Sequence, residues 1–165
     1  MPDNIDDEFA RRLREVTASV AGLDEDEALR VLDLRLKRAE ANGRVRHRLS
    51  LARARGTLAL ALGNGADHDM IASLRTMVTT IEESGPTGTA SLASVEHLAD
   101  PDDATYDPEL AANVAELLQC HHQNAIAILQ LIAKLSVSSQ DPELVSTLER
   151  FLDDDLEAIS ELESR

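Results

Sequence analysis

The sequence predicts an all-α protein, an antiparallel helical bundle built from two helical hairpins plus one or two N-terminal helices. Apolar residues recur three or four positions apart along most of the chain, which is the spacing of one helix face. Only 2% of the 165 residues are aromatic, and Ala, Leu, Ile and Val dominate the apolar set. Such a composition suits helix packing better than β-sheets.

The first half of the chain contains several helix signals. A helix is predicted over about 4–21, with Phe9 and Leu13 on its apolar stripe. A second begins at Asp24, where acidic residues favour a first turn, and the dipeptide Asn42-Gly43 is expected to end or bend it. Two further helices follow, over about 44–62 and, after a turn at Gly63-Asn-Gly65, over about 67–83.

The second half has clearer boundaries. Residues 85–106 are rich in Gly, Pro, Thr, Ser and Asp and predict a linker, with one short helical turn near Val95–Leu98. Asp-Pro-Glu begins at residues 107 and 141, a favourable helix start, and predicts helices to about 136 and 163. We expect a single domain over 1–165, with a first helical half at 24–84 and a second hairpin at 107–163.

An offset of 74 residues aligns the two halves without a gap. It places His47 on His121 and Asp67 on Asp141, and hydrophobic class agrees at several other positions. Two amphipathic hairpins with acidic starts share some of this by chance. Internal duplication therefore stays open, and the interruption at Asn42-Gly43 counts against it.

The charge is strongly acidic, with a formal net charge of −15. Fourteen of the sixteen basic residues are Arg, and Lys occurs only at positions 37 and 134. An acidic, lysine-poor surface stays hydrated when salt screens its self-repulsion, so the composition resembles that of salt-adapted archaeal proteins. A GC-rich genome is the alternative, and it explains the Lys deficit but leaves the acidity unexplained.

Localisation is predicted to be cytoplasmic. Cys120 is the single cysteine, so no disulfide can form within the chain. The N-terminal residues lack the basic and apolar regions of a signal peptide. No apolar run approaches the roughly 18 residues that a membrane span needs, so we expect no membrane association.

Polar residues interrupt an aliphatic seam in the predicted helix 107–136. His121 and Asn124 lie on the stripe of Leu117 and Ile128, and buried polar groups need partners. In an antiparallel hairpin His121 comes level with Glu157, Asn124 comes level with Asp154 or Asp155, and in the first hairpin His47 comes level with Glu83.

These histidines and carboxylates at the middle of the helices have two interpretations. Imidazole and carboxylate oxygen are transition-metal ligands, and the candidate metal-ligating set is His47, Glu83, His121, His122 and Glu157. The alternative is a buried His–carboxylate layer that sets helix register, which we favour because the Glu-x-x-His spacing of di-iron bundles is absent.

The second hairpin resembles a known family. The segments that carry the resemblance are Cys120-His-His-Gln-Asn-Ala-Ile126, Asp141-Pro-Glu-Leu144 and Leu156-Glu-Ala-Ile-Ser-Glu-Leu162. They are similar to a ferritin-like family of unknown function found in copper-associated bacterial proteins. The resemblance covers residues 107–163 and implies a ferritin-like bundle that handles metal, with only His121 and His122 carried over. The chain departs from the family pattern at Leu118, Gln119, Cys120 and Leu162.

Basic residues concentrate in residues 35–55, which hold eight bases and one acid. Arg44, Arg46 and Arg48 are the candidate polyanion-binding residues. We favour the alternative in which these bases pair with carboxylates such as Asp153–Asp155, Glu157 and Glu161. No DNA-recognition motif supports nucleic-acid binding.

The leading functional hypothesis is a non-catalytic bundle module for protein–protein interaction or homo-oligomerisation in a salt-adapted cytoplasm. Catalysis is not favoured, because the sequence has no phosphate-binding glycine loop, no nucleophilic serine elbow and no suitable Cys–His pair. A ferritin-like metal-binding bundle is the second hypothesis. A nucleic-acid-associated regulator acting through residues 35–55 is the third.

Overall fold

A computed structural model describes residues 3–85, 97–138 and 141–164, and these ranges contain five α-helices. The helices are α1 (Asp3–Val20), α2 (Glu25–Gly63), α3 (His68–Ser84), α4 (Pro108–Ser138) and α5 (Pro142–Glu163). A single 3₁₀ turn covers 97–99, and no β-strand occurs in the described ranges. The all-α prediction is confirmed. Residues 86–96 of the predicted linker, with the first half of its predicted helical turn, lie outside the described residues.

Aspartate side chains begin α2, α3, α4 and α5. The carboxylate of Asp24 accepts a hydrogen bond from the backbone N–H of Glu27 at 2.9 Å, and that of Asp67 accepts from Met70 at 2.8 Å. Asp107 and Asp141 do the same immediately before Pro108 and Pro142. Each cap satisfies N–H groups that the helix itself leaves unpaired, so these starts follow from local sequence.

Asn42-Gly43 was expected to end or bend the helix, and the ending is wrong, because α2 runs through the dipeptide as one helix of 39 residues. Asn42 is buried, donates to Asp107 Oδ2 at 3.0 Å and accepts from Asn113 Nδ2 at 2.9 Å. A glycine inside a helix costs only about 1 kcal/mol. The fully buried Ala41 and Val45 on either side, together with the amide bonds of Asn42, outweigh that cost.

The chain divides into two compact units, residues 1–40 and 41–165. The larger unit has a core in which two helical hairpins meet. Ala54, Leu58 and Val78 pack within the first hairpin, whereas Ile128, Leu131 and Leu148 pack within the second. Phe151 of α5 packs against both clusters, so the two hairpins share one core.

Helices within each hairpin run antiparallel, whereas α2 and α4 run parallel to each other. Contacts between α2 and α4 follow the same order along both helices. Arg46 pairs with Glu109, Arg53 pairs with Glu116, and Gly63 lies against Leu131. A side chain at Gly56 would collide with Asn124, so the absence of a Cβ there lets α4 approach α2. The two hairpins therefore lie side by side in the same direction.

Residues 3–40 form the smaller unit, which contains α1 and the first part of α2. Four residues connect the two helices, and Asp24 caps the second. A connection this short joins antiparallel helices. None of the described side chains in this unit is buried, although its apolar stripes match the predicted spacing.

Candidate functional site

An imidazole–carboxylate pair lies between α4 and α5 in the larger unit. Nδ1 of His121 on α4 lies 2.7 Å from Oδ1 of Asp155 on α5, and the two side chains are only 12% and 11% exposed. Asp155 occupies the inner face of α5, in line with Leu148 and Ile159. The carboxylate holds the imidazole in one orientation, which is also the usual support of a metal-binding or acid–base histidine.

Glu157 was the partner expected from register, and this expectation is wrong. It is exposed, two residues from Asp155 and therefore on the opposite side of α5. The expected register between α4 and α5 was wrong by two residues. Two residues turn a helix by about 200°, so a position that faces the core and one that faces solvent are interchanged. Asp155 itself carried a usable signal, because it falls on the same apolar stripe as Leu148 and Leu162.

Asn124 contacts α2 instead of the predicted aspartates. Its Nδ2 donates to the backbone carbonyl of Ala52 at 2.9 Å, directly over Gly56. This satisfies a polar side chain at the helix–helix interface, and it ties the two parallel helices together. No sequence pattern indicates such a bond, because it depends on which helix lies beside α4.

His47 and His121 are equivalent under the 74-residue offset but have different surroundings. The His47 ring lies against Gly85 at the end of α3, at a site that any Cβ would obstruct. The position equivalent to Asp155 in the first hairpin is Ile81, which packs in the apolar cluster. Glu83 is exposed, and no hydrogen bond or ion pair joins it to His47 among the residues described.

The predicted metal ligands are thus distributed over separate places. His122 points to the end of α5, where its Nε2 lies 3.0 Å from Oε1 of the half-exposed Glu163. Within residues 3–85, 97–138 and 141–164, no group of three or more His, Cys, Asp or Glu residues is arranged to hold a metal ion. Burial raises the pKa of the neighbouring Cys120 thiol, which keeps it protonated and a poor ligand.

A cleft of about 140 Å³ lies beside the His121–Asp155 pair. Arg48 and Arg55 line it, over an apolar floor that includes Leu51, Ile128 and Phe151. Both arginines are engaged by carboxylates. Arg48 binds Glu161 through two hydrogen bonds of 3.2 and 3.1 Å, and Arg55 donates to Glu82 at 2.7 Å. The cleft is small, and its positive charge is compensated.

Arginines in the part of the basic segment after residue 40 pair with acidic residues of the larger unit. Arg46 bonds Glu109, Arg53 bonds Glu116, and Nη1 of Arg55 lies 3.8 Å from Asp154. Of the three candidate polyanion-binding residues, Arg46 and Arg48 are engaged in these pairs. Arg44 is half-buried and has no ion pair within the described part of the chain. Partners on α3 and α4 were not expected from sequence, which pointed to α5 alone.

An exposed apolar face distinguishes the smaller unit. It consists of Phe9 and Leu13 on α1 and Leu29, Leu32 and Leu36 on α2, with exposed fractions of 68%, 54%, 58%, 37% and 58%. We call these five residues the open seam. Because α1 ends at Val20 and α2 begins at Glu25, antiparallel helices place Phe9 at the same height as Leu36, and Leu13 at the same height as Leu32. The open seam therefore combines matched residues of both helices.

The open seam is unusual for its density. Among the described residues, six of the thirteen large hydrophobic side chains that are exposed lie in the first 40 positions. Isolated exposed leucines are normal on any surface. Exposed apolar residues concentrated in one short segment are typical of interaction surfaces in general.

Comparison of the chain with protein-family models, curated proteins and solved structures finds no match. None of the described helices combines the length and the apolar character needed to cross a bilayer. The functional proposal therefore rests on the residues of this chain.

Proposed function

We propose that this protein is a non-catalytic self-association module, in which the open seam of one copy is covered by the open seam of a second copy. The supporting observation is the exposure of the five open-seam residues. None of the side chains that the structure describes in the smaller unit is buried. Two helices that expose an apolar stripe on each become a four-helix bundle when two copies meet. Each copy thereby supplies the layer that the other lacks.

A second copy is favoured over a different partner by the distribution of charge. The first turn of α2 carries Glu25, Asp26 and Glu27, whereas Arg35, Lys37 and Arg38 lie three turns later. A surface that carries both signs in separate zones is complementary to itself under a two-fold rotation. The same order, acidic residues first and arginines later, occurs in α1.

Covering the open seam contributes favourably to dimer formation, against a cost of roughly 4–15 kcal/mol for lost translational and rotational freedom. Burial of a Leu or Phe side chain contributes roughly 1.5–3 kcal/mol when complete. Leu32 and Leu36 are 37% and 58% exposed, so covering this pair in both copies contributes roughly 4 kcal/mol. That corresponds to about a thousandfold in the dissociation constant, before Phe9, Leu13 and Leu29 are counted.

Light scattering coupled to gel filtration tests the proposal on the full chain over a range of protein concentrations. We expect a dimer for the unmodified protein and a monomer of unchanged helicity for the double variant Leu32→Asp/Leu36→Asp. The matched control is Leu129→Asp/Leu156→Asp, which places the same charges at similarly exposed leucines of the larger unit and leaves the dimer intact. A monomeric unmodified protein, or a dimer that survives the seam substitutions, overturns the proposal.

The proposed setting is a salt-rich cytoplasm. Residues 56–165 carry twenty acids and four bases, so their surface charge is self-repulsive unless salt screens it. The Debye length falls from about 10 Å at 0.1 M to about 3 Å at 1 M. We expect the unfolding midpoint of the protein to rise steeply with KCl. A midpoint that is flat or falling between low and molar KCl contradicts this setting and leaves self-association untouched.

A further inference from the structure

We infer that the two copies pair with the N-terminal parts of their α2 helices antiparallel, around a two-fold axis that passes near Leu32. This inference rests on the proposed self-association and specifies its geometry. In this geometry the open seams of the two copies contact each other, and their α2 helices run in opposite directions.

Charge along α2 discriminates between the two possible directions. In a parallel pair Glu25, Asp26 and Glu27 lie beside the same three acids of the second copy, and the bases at 35, 37 and 38 lie beside bases. Like charges brought together at an interface oppose association. In an antiparallel pair centred near Leu32, the acidic first turn instead lies beside the basic residues at 35–38 of the second copy.

The apolar residues agree with the same centre. Leu29 and Leu36 are placed almost symmetrically about Leu32, so the antiparallel arrangement sets Leu29 of each copy beside Leu36 of the other. The exposed fractions of Leu29 and Leu36 are equal at 58%, and Leu32 between them is the least exposed member of the open seam at 37%. The antiparallel arrangement therefore brings two equally exposed leucines together on each side of Leu32.

The ion pair between Lys37 and Asp33 is compatible with the arrangement. Lys37 lies 2.8 Å from Asp33 one turn earlier on the same helix, and both side chains are more than half exposed. Exposed pairs of this kind contribute little and exchange partners readily. Loss of the Lys37–Asp33 contact on association would therefore cost little.

Disulfide trapping tests the direction, in full-length protein whose single native cysteine is removed by Cys120→Ser. Three variants each carry one new cysteine: Leu29→Cys, Leu32→Cys and Leu36→Cys. In the antiparallel pair, position 32 meets itself, whereas each position 29 is displaced by about 10 Å along the axis from the other. A disulfide requires Cα atoms within about 7 Å.

We expect Leu32→Cys to cross-link to itself on mild oxidation, and Leu29→Cys and Leu36→Cys to remain uncross-linked when each is alone. Mixing these last two under reducing conditions and then oxidising them should yield a mixed dimer, identified by mass. The matched control is Arg30→Cys, which lies at a similar height but about 160° around the helix from Leu32, and it should not cross-link.

Self-cross-linking of Leu29→Cys and Leu36→Cys, each alone, shows a parallel pair and overturns this inference, while self-association stands. A dimer by light scattering in which none of the three seam positions cross-links shows that another surface is used, and it overturns both the direction and the seam. A monomer at every concentration overturns self-association itself, so the two failures are distinguishable.

Discussion

The same apolar spacing occurs in residues 3–40 and in residues 41–164, but the apolar stripes are buried only in the second range. In the larger unit the stripes of α2, α4 and α5 are covered, and Leu117 and Leu148 are fully buried. In the smaller unit the same spacing leaves Leu29 and Leu36 more than half exposed. Apolar residues spaced three or four positions apart thus predict which face of a helix is apolar. Whether that face is buried depends on how many other helices pack around it.

The largest expected effect separates the two units directly. Leu148→Ala removes a fully buried side chain from the core of the larger unit, and we expect the free energy of unfolding to fall by about 2–5 kcal/mol. Leu36→Ala is the matched change in the smaller unit. Measured by urea denaturation at protein concentrations too low for association, it should cost less than about 1 kcal/mol. Equal losses for both leucines would contradict the contrast.

An intermediate effect is expected at the polar layer of the larger unit. Asp155→Ala leaves the imidazole of the nearly buried His121 without its partner, and an unpaired buried polar group costs about 1–3 kcal/mol. Glu157→Ala, two residues away and exposed, is the control and should stay within about 0.5 kcal/mol of the unmodified protein. Thermal unfolding of both variants checks the prediction. A larger loss for Glu157→Ala would contradict the observed pairing.

The smallest effect is expected at the basic segment. Arg53 and Glu116 bond to each other, and both are about half exposed. Arg53→Gln should therefore cost only about 0.2–1 kcal/mol, and less as salt is added. Denaturation at low and high KCl measures this difference. A loss well above 1 kcal/mol that persists in high salt would mean that the pair is more than a surface contact.

Helix boundaries were the most predictable feature of this chain. The starts expected at Asp24, Asp107 and Asp141 agree with the structure because an N-cap is a local device, made by an aspartate and the N–H groups two or three residues later. The stop expected at Asn42-Gly43 was wrong, because burial of Ala41 and Val45 and the bonds of Asn42 to α4 act across the chain. A local signal of about 1 kcal/mol cannot anticipate them.

The polar layer was predictable only in part. Placing His121 on an aliphatic stripe correctly indicated a buried polar group with a carboxylate partner on α5. Loop positions alone do not give a register accurate to two residues, so they could not separate Asp155 from Glu157, and only the position of Asp155 on the apolar stripe of α5 favours it. Asn124 could not be assigned at all, since its partner is a backbone carbonyl of α2, a helix that lies beside α4 only in the folded chain.

The two aligned histidines illustrate the same limit. His47 and His121 share a sequence context, yet only His121 has a carboxylate partner, because the equivalent of Asp155 is Ile81. The continuous α2 removes the interruption that counted against duplication, and the parallel course of α2 and α4 agrees with two similar hairpins set side by side. Duplication stays open, and the polar pair distinguishes the second hairpin from the first.

By itself, the sequence determined the helical class, the caps, the apolar stripes and the polarised charge, because each depends on residues within one or two turns of one another. Tertiary structure decided several long-range polar partners: Asp155 for His121, Ala52 for Asn124, and Glu109 and Glu116 for two arginines. It also decided that the seam of the first 40 residues stays open. The physical reason is that burial depends on which surfaces meet, and spacing along one helix carries no information about the helix opposite.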